Sequence, residues 1–110
     1  MALPPLPLVQ GTLDLLVLRT LQGGPMHGYG IAVAVRERTA GDLNIEDAAL
    51  YQSLHRLDRQ GFVDATWRQS ENNRRARYYR LTAEGRKRLR VETVSWQRYT
   101  RAVDAVLQGG

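Results

Sequence analysis

The segment Glu46-Asp47-Ala48-Ala49-Leu50-Tyr51-Gln52-Ser53-Leu54-His55-Arg56-Leu57-Asp58-Arg59-Gln60 carries leucines at 50, 54 and 57. That i, i+4, i+7 spacing turns all three to one side of an α-helix. At about 100° per residue, the opposite side holds Ala48, Gln52, His55, Arg56 and Arg59, with Tyr51 on the flank. No acidic side chain lies on that outer side. Hydrogen-bonding and cationic groups at this spacing are what a helix presents to base edges in a major groove. Glu46 and Asp47 suit the positive end of the helix dipole, and the leucine side needs a core to pack on.

Downstream, Gly61 ends the helix and the period drops from 3.6 to 2. Val63, Ala65 and Trp67 share one side of a strand running from Phe62 to Arg68. Ser70-Glu71-Asn72-Asn73 supplies turn chemistry, because Asn tolerates positive φ. Residues 75–81 alternate again, and of Tyr78 and Tyr79 only one can face the core; Tyr79 with Leu81 is the expected pair. The result is a two-stranded hairpin with Arg74, Arg75 and Arg77 near its tip.

Upstream, residues 12–21 read as a helix apolar nearly all round, with Leu13, Leu16, Val17 and Leu21 in one stripe and Leu15 and Leu18 beside it. Such a helix belongs at the centre of the domain. Gln22-Gly23-Gly24-Pro25 stops it. A second helix is expected over residues 27–39, with Gly28 and Gly30 in its first turn despite their low helix propensity. Either a phosphate or backbone approaches that turn closely, or the glycines pack against the first helix. Gly28-Tyr29-Gly30 is not a dinucleotide fingerprint, since no strand is expected before it and no third glycine follows. Leu43-Asn44-Ile45 is short enough to be a minor strand.

After Thr82, a plausible N-cap followed by Glu84, the pattern is helical to Gln108, where Gly109-Gly110 follows. A helix of that length spans roughly 40 Å, more than one small domain can cover. Leu89, Trp96 and Val103 are seven apart, with Tyr99 and Val106 three beyond the last two; Glu92 interrupts the seam. A homodimer joined along this helix is the preferred reading, with Val91 and Val94 left to pack on the helix's own domain. Two copies of Trp96 and Tyr99 across such a seam would form an aromatic slot for a flat ligand.

The chain has 110 residues, 16 basic against 11 acidic, and a net charge of +5. Lys87 is the only lysine. Arg68, Arg74, Arg75, Arg77, Arg80, Arg86, Lys87, Arg88 and Arg90 make residues 68–90 strongly positive against Glu71 and Glu84. A local excess of this kind points to a polyanion. No cysteine is present, which excludes disulfides, thiolate nucleophiles and the usual structural zinc sites. His27 and His55 are the only histidines, and no carboxylates cluster at acid/base or metal spacing, so neither an enzyme nor a cofactor or metal is expected. Apolar runs are too short to span a bilayer, and the Pro4, Pro5 and Pro7 segment has no basic start, so residues 1–10 read as an extended arm on a cytoplasmic protein.

Three helices followed by a basic hairpin is the order of a winged helix-turn-helix. The expected fold is mostly α with a small β-hairpin: a DNA-binding unit over residues 11–82 and a dimerisation helix over 83–108. The reading helix enters a groove while the wing's arginines displace counterions along the phosphates. A basic RNA-binding protein is the chief rival, although RNA readers display aromatics on an open sheet. A protein-interaction winged helix is another.

Gly24-Pro25-Met26-His27-Gly28-Tyr29-Gly30-Ile31, Leu50-Tyr51-Gln52-Ser53-Leu54-His55-Arg56-Leu57 and Asn72-Asn73-Arg74-Arg75-Ala76-Arg77-Tyr78-Tyr79-Arg80-Leu81-Thr82 resemble three signatures of the PadR family of bacterial transcriptional regulators. The resemblance implies a repressor that dimerises through its C-terminal helix, binds an inverted repeat in double-stranded promoter DNA and has no enzymatic activity. It also implies release, in some members, by a small planar aromatic molecule between subunits. This chain departs from the pattern at Gln52, where the family usually has proline, and at Ala48-Ala49. Gln52 gains a group able to pair with adenine. Tyr51, Gln52, His55 and Arg56 are the expected base or groove-wall contacts and Arg59 a phosphate contact. Arg74, Arg75 and Arg77 are expected on wing phosphates with Asn73 shaping the turn, and His27 and Tyr29 on a further phosphate.

Overall fold

The computed structural model describes residues 3–9, 11–69 and 71–109. Among these, four helices and three strands follow in the order α1 (Thr12–Leu21), β1 (Met26–His27), α2 (Gly28–Arg38), α3 (Asp47–Arg59), β2 (Val63–Gln69), β3 (Arg75–Leu81) and α4 (Ala83–Gln108). Helix α1 packs against α2, α3, α4 and β3, the central place its all-round apolar surface requires. Val17, Leu18 and Leu21 from α1, Ile31 and Val35 from α2, and Leu50, Leu54 and Leu57 from α3 form the core with Val63, Tyr79, Leu81 and Leu89. Tyr79, not Tyr78, is the buried tyrosine, as the alternation requires once Leu81 faces inward. Burial raises the pKa of the Tyr79 hydroxyl, against the opposing pull of Arg77.

The sheet is a strand larger than the hairpin expected. Its order is β1-β3-β2, with β1 antiparallel to β3 through Met26↔Tyr79 and His27↔Tyr78. A strand does therefore precede Gly28. Two residues cannot display a period, and only the free edge of β3 makes Met26 and His27 extended partners. Leu43-Asn44-Ile45, by contrast, forms no strand. Ile45 is buried in the core while Thr39 Oγ1 accepts the Leu43 N–H at 3.0 Å, so a local cap satisfies backbone that a ladder would have used.

In the N-terminal arm, the Leu6 N–H donates to Asp42 O at 2.7 Å, and Leu8 packs on the core. Residues 1, 2 and 10 of the expected arm, Ser70 of the expected turn and Gly110 of the chain end lie outside the described residues. Asn73 adopts φ +60°, the positive angle expected of it.

Thr82 caps α4 by accepting the Gly85 N–H at 3.0 Å, and its own hydroxyl donates to Gly61 O at 2.7 Å. Two sequence-based assignments on α4 are reversed. Leu89, expected on the dimer seam, is only 3 % exposed and belongs to the domain's own core. Val91 and Val94, expected to pack on that domain, are 61 % and 63 % exposed. The heptad spacing is the same for either partner, and α1 covers the face bearing Leu89 first. Beyond Thr100 every described residue of the helix is exposed. The radius of gyration is accordingly 15.4 Å, against about 13 Å for a compact chain of this size.

Candidate nucleic-acid interface

Helix α3 meets the core through Leu50, Leu54 and Leu57, none more than 2 % exposed, and through the fully buried Ser53. Ala48, Gln52, His55 and Arg59 stand exposed on its outer face. Among the described residues no hydrogen bond occupies the side chains of Gln52, His55 or Arg59. His55 is thus not held within the fold.

Both flanks of α3 are pinned by charge. On the α1 side, the Asp14 carboxylate accepts the Ser53 hydroxyl and the Arg56 guanidinium, the latter through Nη2 and through Nε at 3.0 Å. Burial alone would raise the Asp14 pKa. Hydrogen bonds from Arg56 and Ser53, with the Coulombic pull of Arg56 and Arg88, outweigh it and hold the carboxyl below its usual 3.8. On the hairpin side, the Asp58 carboxylate faces the Arg77 guanidinium at 3.5 Å. Two arginines expected at nucleic acid, Arg56 and Arg77, therefore already have protein partners. Sequence reasoning missed Asp14, whose one signal was a carboxylate inside the apolar run of α1.

The start of α2 completes the second side. His27 is the N-cap, its Nδ1 accepting the Gly30 N–H at 3.0 Å, which places the proton of the neutral ring on Nε2. Tyr29 is 71 % exposed. The two glycines answer to neighbours other than α1. A Cβ on Gly28 would come within 3.0 Å of the Tyr51 hydroxyl, and one on Gly30 within 3.4 Å of the His27 ring. Small residues let the Tyr51 ring lie across the first turn of α2.

The hairpin is the third side. Trp67 shares the face of Val63 and Ala65, yet it is 57 % exposed because the hairpin has by then risen off the core. The Arg75 guanidinium lies 5.1 Å from its ring centre, and Arg68 lies 3.9 Å from that of Tyr78. Arg80 pairs with Asp64 at 3.1 Å. Arg74 has no ion pair among the described residues.

These three sides enclose an open groove of about 930 Å³. His27, Tyr29, Tyr51, Arg74, Arg75 and Arg77 line it together with Trp67 and Tyr78, which sequence reasoning did not select. Glu71 is its one acidic lining residue. Gln52, His55 and Arg59 occupy the adjoining convex face of α3 rather than the groove. Among the described residues no group of three His, Cys, Asp or Glu side chains is placed to hold a metal ion, and no helix is long and apolar enough to cross a membrane.

Away from this face, Trp96 and Tyr99 stack at a tilt with ring centres 6.0 Å apart. With Val9, Thr12, Leu15 and Glu92 they line a hollow of about 370 Å³ between α4 and the start of α1. Tyr99, Val103, Val106 and Leu107 are exposed.

Residues 17–91 match the transcriptional regulator PadR-like family. A PadR family transcriptional regulator from Eggerthella lenta is 30 % identical, with a TM-score of 0.78 over 92 % of this chain and 86 % of the other. A PadR family transcription regulator from Clostridium difficile is 27 % identical, with a TM-score of 0.77 over 88 % and 99 %. A Streptococcus mutans protein is 25 % identical, with a TM-score of 0.82 over 99 % and 95 %. A helix with a free polar face, a basic wing beside it and a family match over most of the domain agree: the chain belongs to the PadR-like family of transcriptional regulators, as a DNA-binding winged-helix protein and not an enzyme.

Proposed function

We propose that the protein acts as a cytoplasmic homodimer that represses transcription from an inverted-repeat operator in double-stranded promoter DNA. The observation that carries this reading is the free outer face of α3 beside an arginine-tipped hairpin. Gln52 and His55 read base edges, and Tyr51 meets the groove wall. Arg59, Arg74 and Arg75 contact phosphates, and the His27 Nε2–H and the Tyr29 hydroxyl hold a further one. Asn73 shapes the wing tip. Arg56 and Arg77 act mainly by bracing α3, because Asp14 and Asp58 already engage them. Residues 11–82 form the DNA-binding unit and 83–108 the dimerisation helix, whose exposed Tyr99, Val103 and Val106 need an apolar partner; Trp96 borders that surface.

Selection of bound sequences from a random DNA pool tests the reading. The expected product is an inverted repeat whose half-sites lie about 34 Å apart, or a multiple of that. Half-sites of no fixed separation would reject the rigid dimer, and equal affinity for duplex RNA would favour the RNA-binding alternative. On the selected operator, Gln52→Ala should cost roughly 1–3 kcal/mol and change the preferred base at its position. Equal weakening on operator and random DNA would remove Gln52 from the readers.

A planar aromatic effector that releases the DNA fits the hollow beside Trp96 and Tyr99. Titration with planar aromatic compounds should quench tryptophan emission in the native protein and leave Trp96→Ala unresponsive. Trp67 also emits, so quenching that survives in Trp96→Ala would move the effector away from this hollow.

A further inference from the structure

We propose that Asp14 is a positioning residue for sequence recognition: from α1, its carboxylate sets the angle at which α3 presents Gln52 and His55. The inference rests on the reading of α3 as the recognition helix. Asp14 is the one acidic residue of α1, a central helix whose remaining polar residues, Thr12, Arg19 and Thr20, lie at its ends. Both of its oxygens are used, and every hydrogen-bond partner lies on α3, while Arg88 of α4 acts only through its charge. Ser53 Oγ and Arg56 Nη2 share Oδ1, while Arg56 Nε takes Oδ2 at 3.0 Å.

Each contact bears on a different property. Ser53 is fully buried next to Leu54, so its bond sets how closely α3 sits on α1. Arg56 is three residues from Ser53 and its side chain is 48 % exposed, so its paired contact sets rotation about the helix axis. Leucines at 50, 54 and 57 allow α3 to roll, because apolar packing has little directional preference. A bidentate guanidinium–carboxylate pair does not. Across α3, Asp58 meets Arg77 of β3 through a single longer contact at 3.5 Å, leaving the bidentate Asp14 pair as the tighter of the two braces.

Charge gives the test its sign. Asp14 is an anion close to a DNA-binding face, so as a bare charge it repels phosphate, and its removal would tighten binding to any DNA. As a positioning group, its removal loosens operator binding despite that gain. Asp14→Asn, almost the same size and uncharged, separates the two.

The experiment measures fluorescence anisotropy of full-length native protein and Asp14→Asn with the selected operator and a scrambled duplex. Asp14→Asn is expected to lose about tenfold on the operator while binding the scrambled duplex as well as or better than the native protein. Gain on both duplexes, or proportional loss on both, would overturn the proposal. Amide hydrogen exchange without DNA gives an independent readout. Exchange in Asp14→Asn should accelerate over residues 53–59 and stay unchanged in the hairpin; unchanged exchange over 53–59 would also overturn it. A native protein that does not distinguish operator from scrambled duplex would sink the recognition reading, and the exchange measurement would still decide whether Asp14 holds α3.

Discussion

Gly85→Ala is expected to destabilise the protein by about 3 kcal/mol or more, beyond the usual cost of one extra methyl group in a core. A Cβ at this position would lie 2.0 Å from Phe62 O and 3.1 Å from Leu81 Cδ2. The first obstacle is backbone and cannot rotate away. Phe62 O also accepts the Thr82 N–H at 3.2 Å, and Thr82 Oγ1 donates to Gly61 O, so moving this turn disrupts the cap of α4 as well. The opposing effect is helix propensity, which favours alanine over glycine by about 1 kcal/mol. A glycine in open space would therefore be stabilised by the change. Urea denaturation followed by circular dichroism at fixed protein concentration reads the sign directly, and the thermal midpoint should fall by roughly 12 °C or more. A midpoint that rises would mean α4 does not dock its first turn on the turn after α3.

The second large effect is on binding. Arg74→Ala/Arg75→Ala should reduce the slope of log affinity against log salt by about 0.9 per lost phosphate contact. Affinity at low salt should fall roughly tenfold per contact, on operator and scrambled DNA alike. Arg74 is exposed without an ion pair among the described residues, so its charge is fully available. Arg75 lies over Trp67, an exposed cation–π contact weak enough to leave the guanidinium usable. Arg80→Ala is the internal control. Its charge is matched by Asp64 at 3.1 Å, and its effect on the slope should be smaller. A slope unchanged by the double substitution would remove the wing from the phosphate backbone.

The site was legible where a local period carried it. The leucine stripe of α3 identifies the buried side, and by subtraction the side bearing Gln52, His55 and Arg59. Alternation from Val63 to Leu81 assigns Tyr79 inward and places the arginines at the hairpin end. The Gly28-Tyr29-Gly30 turn was visible as an anomaly without its cause, because the neighbour that requires Gly28 is Tyr51, more than twenty residues away in the chain. Leu89, Val91 and Val94 were misassigned for a related reason. A helical repeat shows which residues share a face, while the neighbour that covers that face comes from elsewhere.

Segment boundaries, the direction of each apolar face and the concentration of charge between residues 68 and 90 were written in the order of the side chains, since each depends on neighbours within one or two turns. Folding alone decided that Met26 and His27 would join the sheet, that Asp14 would take Ser53 and Arg56, and that α4 would bury Gly85 and Leu89 on its own domain while its second half stays bare. These are pairings between distant segments. They depend on which donor and acceptor, or which apolar face, arrive within contact distance once the core has closed.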